Sequence, residues 1–222
     1  MDTINNLRIL DIKPETATRA IVIWLHGLGA NSNDFEPVLP IINEIAPGIR
    51  YVFPNAPLMR VSVNGGMMMP AWYDIVQPNL EAQQDIAGIH ASCDKLVELI
   101  EHYDAETGGN LPIIIAGFSQ GGVIALTTAL TRSTVIKGVL ALSAYLPELQ
   151  TPKQATKTDI ELLMMHGSHD PVVPVNHAKK SFEKLTSLIS NSRWIEYPME
   201  HTLSYEEMQE AGKWLSRLIA KK

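Results

Sequence analysis

The chain has 222 residues and a single cysteine, Cys93, so no disulfide can form within it. That fits a reducing compartment and leads to the expectation of a cytoplasmic protein. Cys93 falls on the apolar stripe of a helix-like segment and reads as a core residue rather than a reactive thiol. No apolar run reaches the roughly 18–20 residues of a membrane span. Met1-Asp2-Thr3-Ile4-Asn5-Asn6 has neither a basic nor an apolar stretch, so no signal peptide is expected. Excess positive charge is missing too. The formal net charge of −6 argues against nucleic acid as a partner and against electrostatic adsorption to anionic membranes. Repeats, low-complexity tracts and linkers are absent, and a chain of this length can be one domain, expected here over 1–222.

What is there is an alternation of strands and helices. Leu7–Ile12 alternates weakly and reads as an edge strand. Ala20–Leu25 is uniformly apolar, as a strand buried on both faces must be. A helix follows from about Asp34 to Ala46, irregular at Pro37 and Pro40, then a strand at Arg50–Phe53. Ile86, Ile89, Cys93, Leu96, Val97 and Ile100 mark one face of a long helix. Strands are expected at Ile113–Ala116, Gly138–Leu142, Glu161–Met165 and Arg193–Tyr197. Helices are expected after Ser119, over about Val175–Ile189, and at the C-terminus along Met208, Ala211, Trp214, Leu215, Leu218 and Ile219. Such β–α repetition implies an α/β fold with a mostly parallel central sheet and helices on both faces.

In such sheets the active site forms at the carboxyl ends of the strands. Gly117-Phe118-Ser119-Gln120-Gly121 lies between a strand and a helix, the context in which Gly-x-Ser-x-Gly presents a nucleophile on a sharp turn. Asp170 follows the Glu161–Met165 strand, and His201 follows the Arg193–Tyr197 strand. The order Ser119, Asp170, His201 is that of an α/β-hydrolase. His201 would take the serine proton, and Asp170 would fix the imidazole tautomer. The backbone N–H groups of Gln120 and of Leu28, in the Gly27-Leu28-Gly29 turn, are the candidate oxyanion donors.

Rival readings are weaker. His26 and His166 precede glycines at strand ends and read as loop braces, and His90, His102 and His177 as helix residues. His166-x-x-His169-Asp170 lies on a loop with no further ligand cluster, so no metal is expected. Gly27-x-Gly29 lacks the third glycine of a dinucleotide fingerprint, Ser32 standing there, and no cofactor is expected. Asp74 and Asp104 lie outside the interval between Ser119 and His201, while Asp159 precedes its strand.

Several stretches together resemble the phospholipase/carboxylesterase family, whose members include bacterial carboxylesterases and acyl-protein thioesterases. They are Leu25-His26-Gly27-Leu28-Gly29-Ala30, Phe53-Pro54-Asn55-Ala56-Pro57, Ala71-Trp72-Tyr73-Asp74, Gly117 to Gly122, and His166 to Pro174. The resemblance runs nearly end to end. It implies an α/β-hydrolase with the triad and oxyanion donors named above, acting on carboxylic esters or acyl thioesters without a cofactor. One departure is Glu200 before His201, where the family often has glycine.

Leu58 to Asn79 has no clean period, and Val61 to Pro70 could form a hairpin around Gly65-Gly66. Met67-Met68-Met69 cannot all face one core, and methionines adapt to irregular apolar ligands. One reading is a flap-like excursion at about 58–79, with Met67, Met68, Met69 and Trp72 contacting an acyl chain. Such a flap could touch membrane transiently or pair with a second copy. The other reading is a packed excursion that shields Trp72. Small esters, lysophospholipids and acylated proteins are not separated by the sequence. A non-catalytic binder on the same fold is the competing function, although a binder has no need of a triad.

Overall fold

The computed structural model describes residues 2–4, 6–80, 82–132, 134–148 and 158–220. The chain opens with β1 (Asp2–Ile4), β2 (Leu7–Ile12) and β3 (Ala20–Leu25). A 3-10 turn at Ser32–Val38 leads into α1 (Leu39–Ile45), then β4 (Ile49–Pro54). The short strands β5 (Leu58–Val61) and β6 (Met67–Pro70) precede α2 (Ile86–Thr107), β7 (Ile113–Phe118), α3 (Gln120–Thr131) and β8 (Ile136–Leu142). β9 (Thr158–Gly167), α4 (Val175–Thr186), β10 (Ile189–Tyr197) and α5 (Tyr205–Ala220) complete it.

Eight strands form one sheet in the order β1-β2-β4-β3-β7-β8-β9-β10. From β4 to β10 all neighbours are parallel, and only β1–β2 and β2–β4 run antiparallel. β2 is therefore not the outermost strand, because β1 covers it.

The uniformly apolar strands divide their side chains between two cores, as alternation requires. Ile21, Ile23 and Leu25 of β3 pack on one face with Ile115 of β7 and with Ile89, Cys93 and Leu96 of α2 and Val123 of α3. Val22 and Trp24 point to the other face, where Leu39 and Ile42 of α1 and Met208, Ala211 and Trp214 of α5 cover them. Helices thus lie on both faces of a mostly parallel sheet, and the carboxyl ends of β3, β7, β9 and β10 face one edge.

Two boundaries differ from the sequence pattern. Leu185 and Ile189 share helical spacing, yet α4 stops at Thr186, Leu188 N donates to Leu185 O in a turn, and Ile189 begins β10. β9 begins at Thr158, so Asp159 is inside the strand rather than before it. Cys93 is buried, and that burial pushes its thiol up to about 11, which leaves it an unreactive core residue.

Candidate active site

Ser119 sits between β7 and α3 with φ 53° and ψ −119°, a conformation that strains any residue carrying a Cβ. The surroundings impose it. Ser119 N donates to Leu142 O at the end of β8 (2.9 Å), and Ser119 O accepts from Val123 N in the first turn of α3 (3.1 Å). The flanking glycines make the turn tight. A Cβ on Gly117 would run into the backbone of Gly121, and one on Gly121 into Leu25 and His26. The serine hydroxyl is thereby held above the sheet edge, next to the positive N-terminus of α3.

The Ser119 hydroxyl lies 2.9 Å from His201 Nε2, and His201 Nδ1 lies 2.7 Å from Asp170 Oδ2. With its proton on Nδ1 donated to Asp170, the imidazole presents a lone pair to the serine O–H. The His201 ring rests against Phe118 at 4.8 Å between centroids. Asp170 is buried, which by itself would raise its pKa. The hydrogen bonds from His201 and from the backbone N–H groups of Val173 and Val172, both 2.8 Å from Oδ1, outweigh burial and hold the carboxyl below its usual range.

Asp170 and His201 come from different loops that are fastened together. Ser168 N donates to Tyr197 O (2.8 Å) and His169 N to Met199 O (3.1 Å). Gly167 is required at this junction, since a Cβ there would collide with the carbonyls of Met199 and Glu200. Glu200 itself is exposed.

The other strand-end histidines act as braces. His26 Nε2 accepts from Ala56 N (3.0 Å) while Nδ1 donates to Gly27 O (2.7 Å), and burial lowers its pKa, so the ring stays neutral. His166 Nε2 donates to Val173 O (2.8 Å), its ring stacks on Trp194, and burial lowers its pKa as well. The rival acids lie elsewhere. Asp74 accepts from Ser62 N and Ser62 Oγ (2.7 and 2.5 Å), and Asp104 sits near the C-terminal end of α2, at the opposite edge of the sheet. No group of three or more His, Cys, Asp or Glu side chains among the described residues could hold a metal ion.

Gln120 contributes more than a backbone N–H. Its buried side chain accepts from Trp72 N (2.9 Å) and donates to Tyr73 O (2.6 Å), tying the segment after β6 to α3. The Gln120 N–H is the first of α3, one of the donors a helix leaves without an internal partner. Leu28 is half-buried in the turn after β3, and the next N–H, of Gly29, donates to Pro70 O (2.8 Å).

Trp72 differs from its expected place. It is only 3% exposed, its Nε1 donates to His26 O (2.8 Å), and its carbonyl accepts from Ser92 Oγ. It is packed as a brace and not displayed to a ligand.

The methionines divide. β5 and β6 pair with Met59 opposite Met69 and Val61 opposite Met67. Val61 is buried, whereas Met67 and Met68 are 64% and 53% exposed. Met69 is half-buried, with its sulfur over the Gly29 turn and accepting from Asn64 Nδ2 (3.2 Å).

Residues 9–219 match the phospholipase/carboxylesterase family. The chain is 33% identical to acyl-protein thioesterase 1 of Mycosarcoma maydis, over 96% of this chain and 98% of that protein. It is 36% identical to acyl-protein thioesterase 1 of Debaryomyces hansenii, over 91% and 93%. The crystal structure of Zea mays acyl-protein thioesterase 2 superimposes with a TM-score of 0.84 at 27% identity, over 96% of this chain and 99% of that one. The Bacillus cereus carboxylesterase shares the fold at 17% identity, with a TM-score of 0.79. On these matches the chain belongs to the phospholipase/carboxylesterase family, and it is a hydrolase with the α/β-hydrolase fold.

Proposed function

We propose that Ser119, His201 and Asp170 are a catalytic triad that hydrolyses carboxylic esters and acyl thioesters through an acyl-serine. His201 Nε2 takes the Ser119 proton as Oγ attacks the substrate carbonyl. The resulting oxyanion is held by the N–H groups of Leu28 and Gln120. His201, now positive and stabilised by Asp170, gives its proton to the leaving alcohol or thiol. A water then enters, His201 removes its proton, and the acid departs, restoring the serine. The observation that carries this reading is the unbroken hydrogen-bonded series Ser119–His201–Asp170, at 2.9 and 2.7 Å. A non-catalytic binder would have no use for it.

The acyl chain is assigned to the hairpin side of the site, where Met69 overhangs the turn that carries Leu28. The curated relatives are named acyl-protein thioesterases, which supports an acyl thioester on a protein as one substrate. The exposed Met67 and Met68 are the proposed point of transient membrane contact or of pairing with a second copy. No helix of the described residues is long and apolar enough to cross a membrane. A single catalytic domain in the cytoplasm, with Cys93 reduced, completes the proposal.

A fluorophosphonate probe tests it. The wild-type protein is expected to be labelled at Ser119 and to hydrolyse p-nitrophenyl butyrate, with both properties lost in Ser119→Ala. A wild-type protein that is neither labelled nor active would favour the binder.

A further inference from the structure

The β5–β6 hairpin carries two adjacent exposed methionines, and the proposed reaction makes no use of their sulfurs. β5 and β6 pair only with each other, apart from the eight-stranded sheet. The turn between them passes through Gly65 and Gly66, both at positive φ, and a Cβ added at either would meet nothing within 4 Å. This end of the hairpin therefore points into open space. Met67 follows the turn directly and is 64% exposed, and Met68 is 53% exposed. Strand surfaces favour β-branched and aromatic side chains, yet this one shows two unbranched thioethers to solvent.

The other described sulfurs are shielded. The chain has nine methionines, of which Met1 lies outside the described residues. Met164, Met165 and Met208 are fully buried, and Met59, Met69 and Met199 are half-buried. Met69, the third of the run, keeps its sulfur over the Gly29 turn, where it accepts from Asn64 Nδ2 (3.2 Å). Cys93, the one thiol, is buried in the core. An oxidant arriving from solvent therefore meets Met67 and Met68 before any other described sulfur. Ser119, His201 and Asp170 carry no sulfur, so the reacting groups are not oxidised with them.

We propose that Met67 and Met68 are a reversible oxidation site for hydroperoxides, and that sulfoxide formation there lowers the preference for long acyl chains. The sulfur lone pair attacks the terminal peroxide oxygen. The S–O bond forms as the O–O bond breaks, and sulfur loses two electrons to the peroxide. The hydroperoxide proton passes to the second oxygen, which leaves as alcohol or water. A thioether that lies against hydrocarbon without penalty becomes a strong acceptor that hydrocarbon cannot satisfy. Methionine sulfoxide reductases return the thioether. The effect on acyl preference rests on the proposed contact between hairpin and acyl chain, whereas the place of oxidation does not.

The test treats the wild-type protein with hydrogen peroxide, maps methionine oxidation over time by peptide mass spectrometry, and measures kcat/KM on p-nitrophenyl octanoate and butyrate. Met67 and Met68 are expected to gain oxygen about tenfold faster than Met164, Met165 and Met208. As they do, the octanoate-to-butyrate ratio should fall about threefold through octanoate. Methionine sulfoxide reductases of both stereospecificities should restore it. Met67→Leu/Met68→Leu is compared with itself before and after peroxide, and its ratio should hold at whatever value it starts from. Equal oxidation of the buried methionines, an unchanged ratio once Met67 and Met68 are oxidised, or a fall in the leucine variant overturns the inference. The oxidation map reads the site without turnover, so it decides the place of oxidation even if the triad reading were to fail. A shifted acyl profile in Met67→Ser/Met68→Ser/Met69→Ser, beside an unshifted one in the oxidised wild type, overturns this inference and leaves the hairpin's contact with the acyl chain standing.

Discussion

The strand-end loops and the β5–β6 hairpin both border the site, and they are built on opposite terms. At Ser119, Gly121 and Gly167 the backbones touch, and one added Cβ at either glycine would displace a neighbouring loop. Asp170 is buried with both oxygens engaged. The hairpin shares only its base with this frame, through the bonds from Gly29 N to Pro70 O and from Ala71 N to Pro57 O. Leu58 at that base, and Met67 and Met68 beyond it, are presented to solvent. Close packing leaves one arrangement of reacting groups, which acyl transfer requires. Flexible methionines leave many arrangements, which suits chains of varied length. On the proposed function, chemistry and substrate choice are therefore expected to be separable by mutation.

The largest effect is expected inside the frame. Ser119→Ala and His201→Ala should lower kcat by on the order of 10⁴–10⁶ while circular dichroism and Tm stay near the wild type. Asp170→Asn should cost up to about 10⁴, because the amide favours the wrong imidazole tautomer. Steady-state kinetics of the three variants on one ester would check this, and near-normal turnover in any of them would remove that residue from the proposed triad.

An intermediate effect is expected behind the frame, at Glu207 on α5. Its carboxyl is fully buried with no well-formed side-chain partner among the described residues, and burial, offset in small part by the nearby Ser204 backbone N–H, pushes its pKa up to about 8. In the unfolded chain a glutamate titrates near 4.3. Between these values the folded state holds a proton that the unfolded state has released, so stability falls as pH rises through this window and levels off above about 8. Glu207→Gln removes that slope. From pH 5 to 9 the wild type should lose about 10 °C more in Tm than the variant. Parallel melting curves would show that the carboxyl finds a partner when it ionises.

The smallest effect is expected at the hairpin. Replacing Met67, Met68 and Met69 together by serine should shift the preferred acyl length by a few-fold in kcat/KM across a series of p-nitrophenyl esters, with Tm changing little. A profile that keeps its shape would assign the hairpin to shielding alone. A collapse of kcat on every ester would mean that it belongs to the frame after all.

Much of this division is legible in the sequence. Uniformly apolar runs such as Ala20–Leu25 mark two-sided strands, because both faces of a parallel sheet are covered. Ser119, Asp170 and His201 stand out because each follows a strand, and the structure brings them within hydrogen-bonding distance. Other features depend on long-range approach. In the sequence Trp72 reads as a ligand contact, whereas in the fold His26, Ser92 and Gln120 use its polar groups. The Gln120 side chain could not be paired with residues 72–73 from spacing, since they stand 48 and 47 positions away. Glu207 left a readable signal, for it shares helical spacing with Ala211, Trp214 and Leu218 on the buried face of α5.

The proposed reaction requires Ser119 to become acylated, and rapid quenching of the wild-type protein with p-nitrophenyl butyrate, followed by peptide mass mapping, observes that step directly. The expected result is one butyryl group on the peptide carrying Ser119, formed in a burst, with His201→Ala showing no such adduct on the same timescale. Steady turnover with no acyl-enzyme at any time, or a butyryl group on another residue, would contradict the assignment.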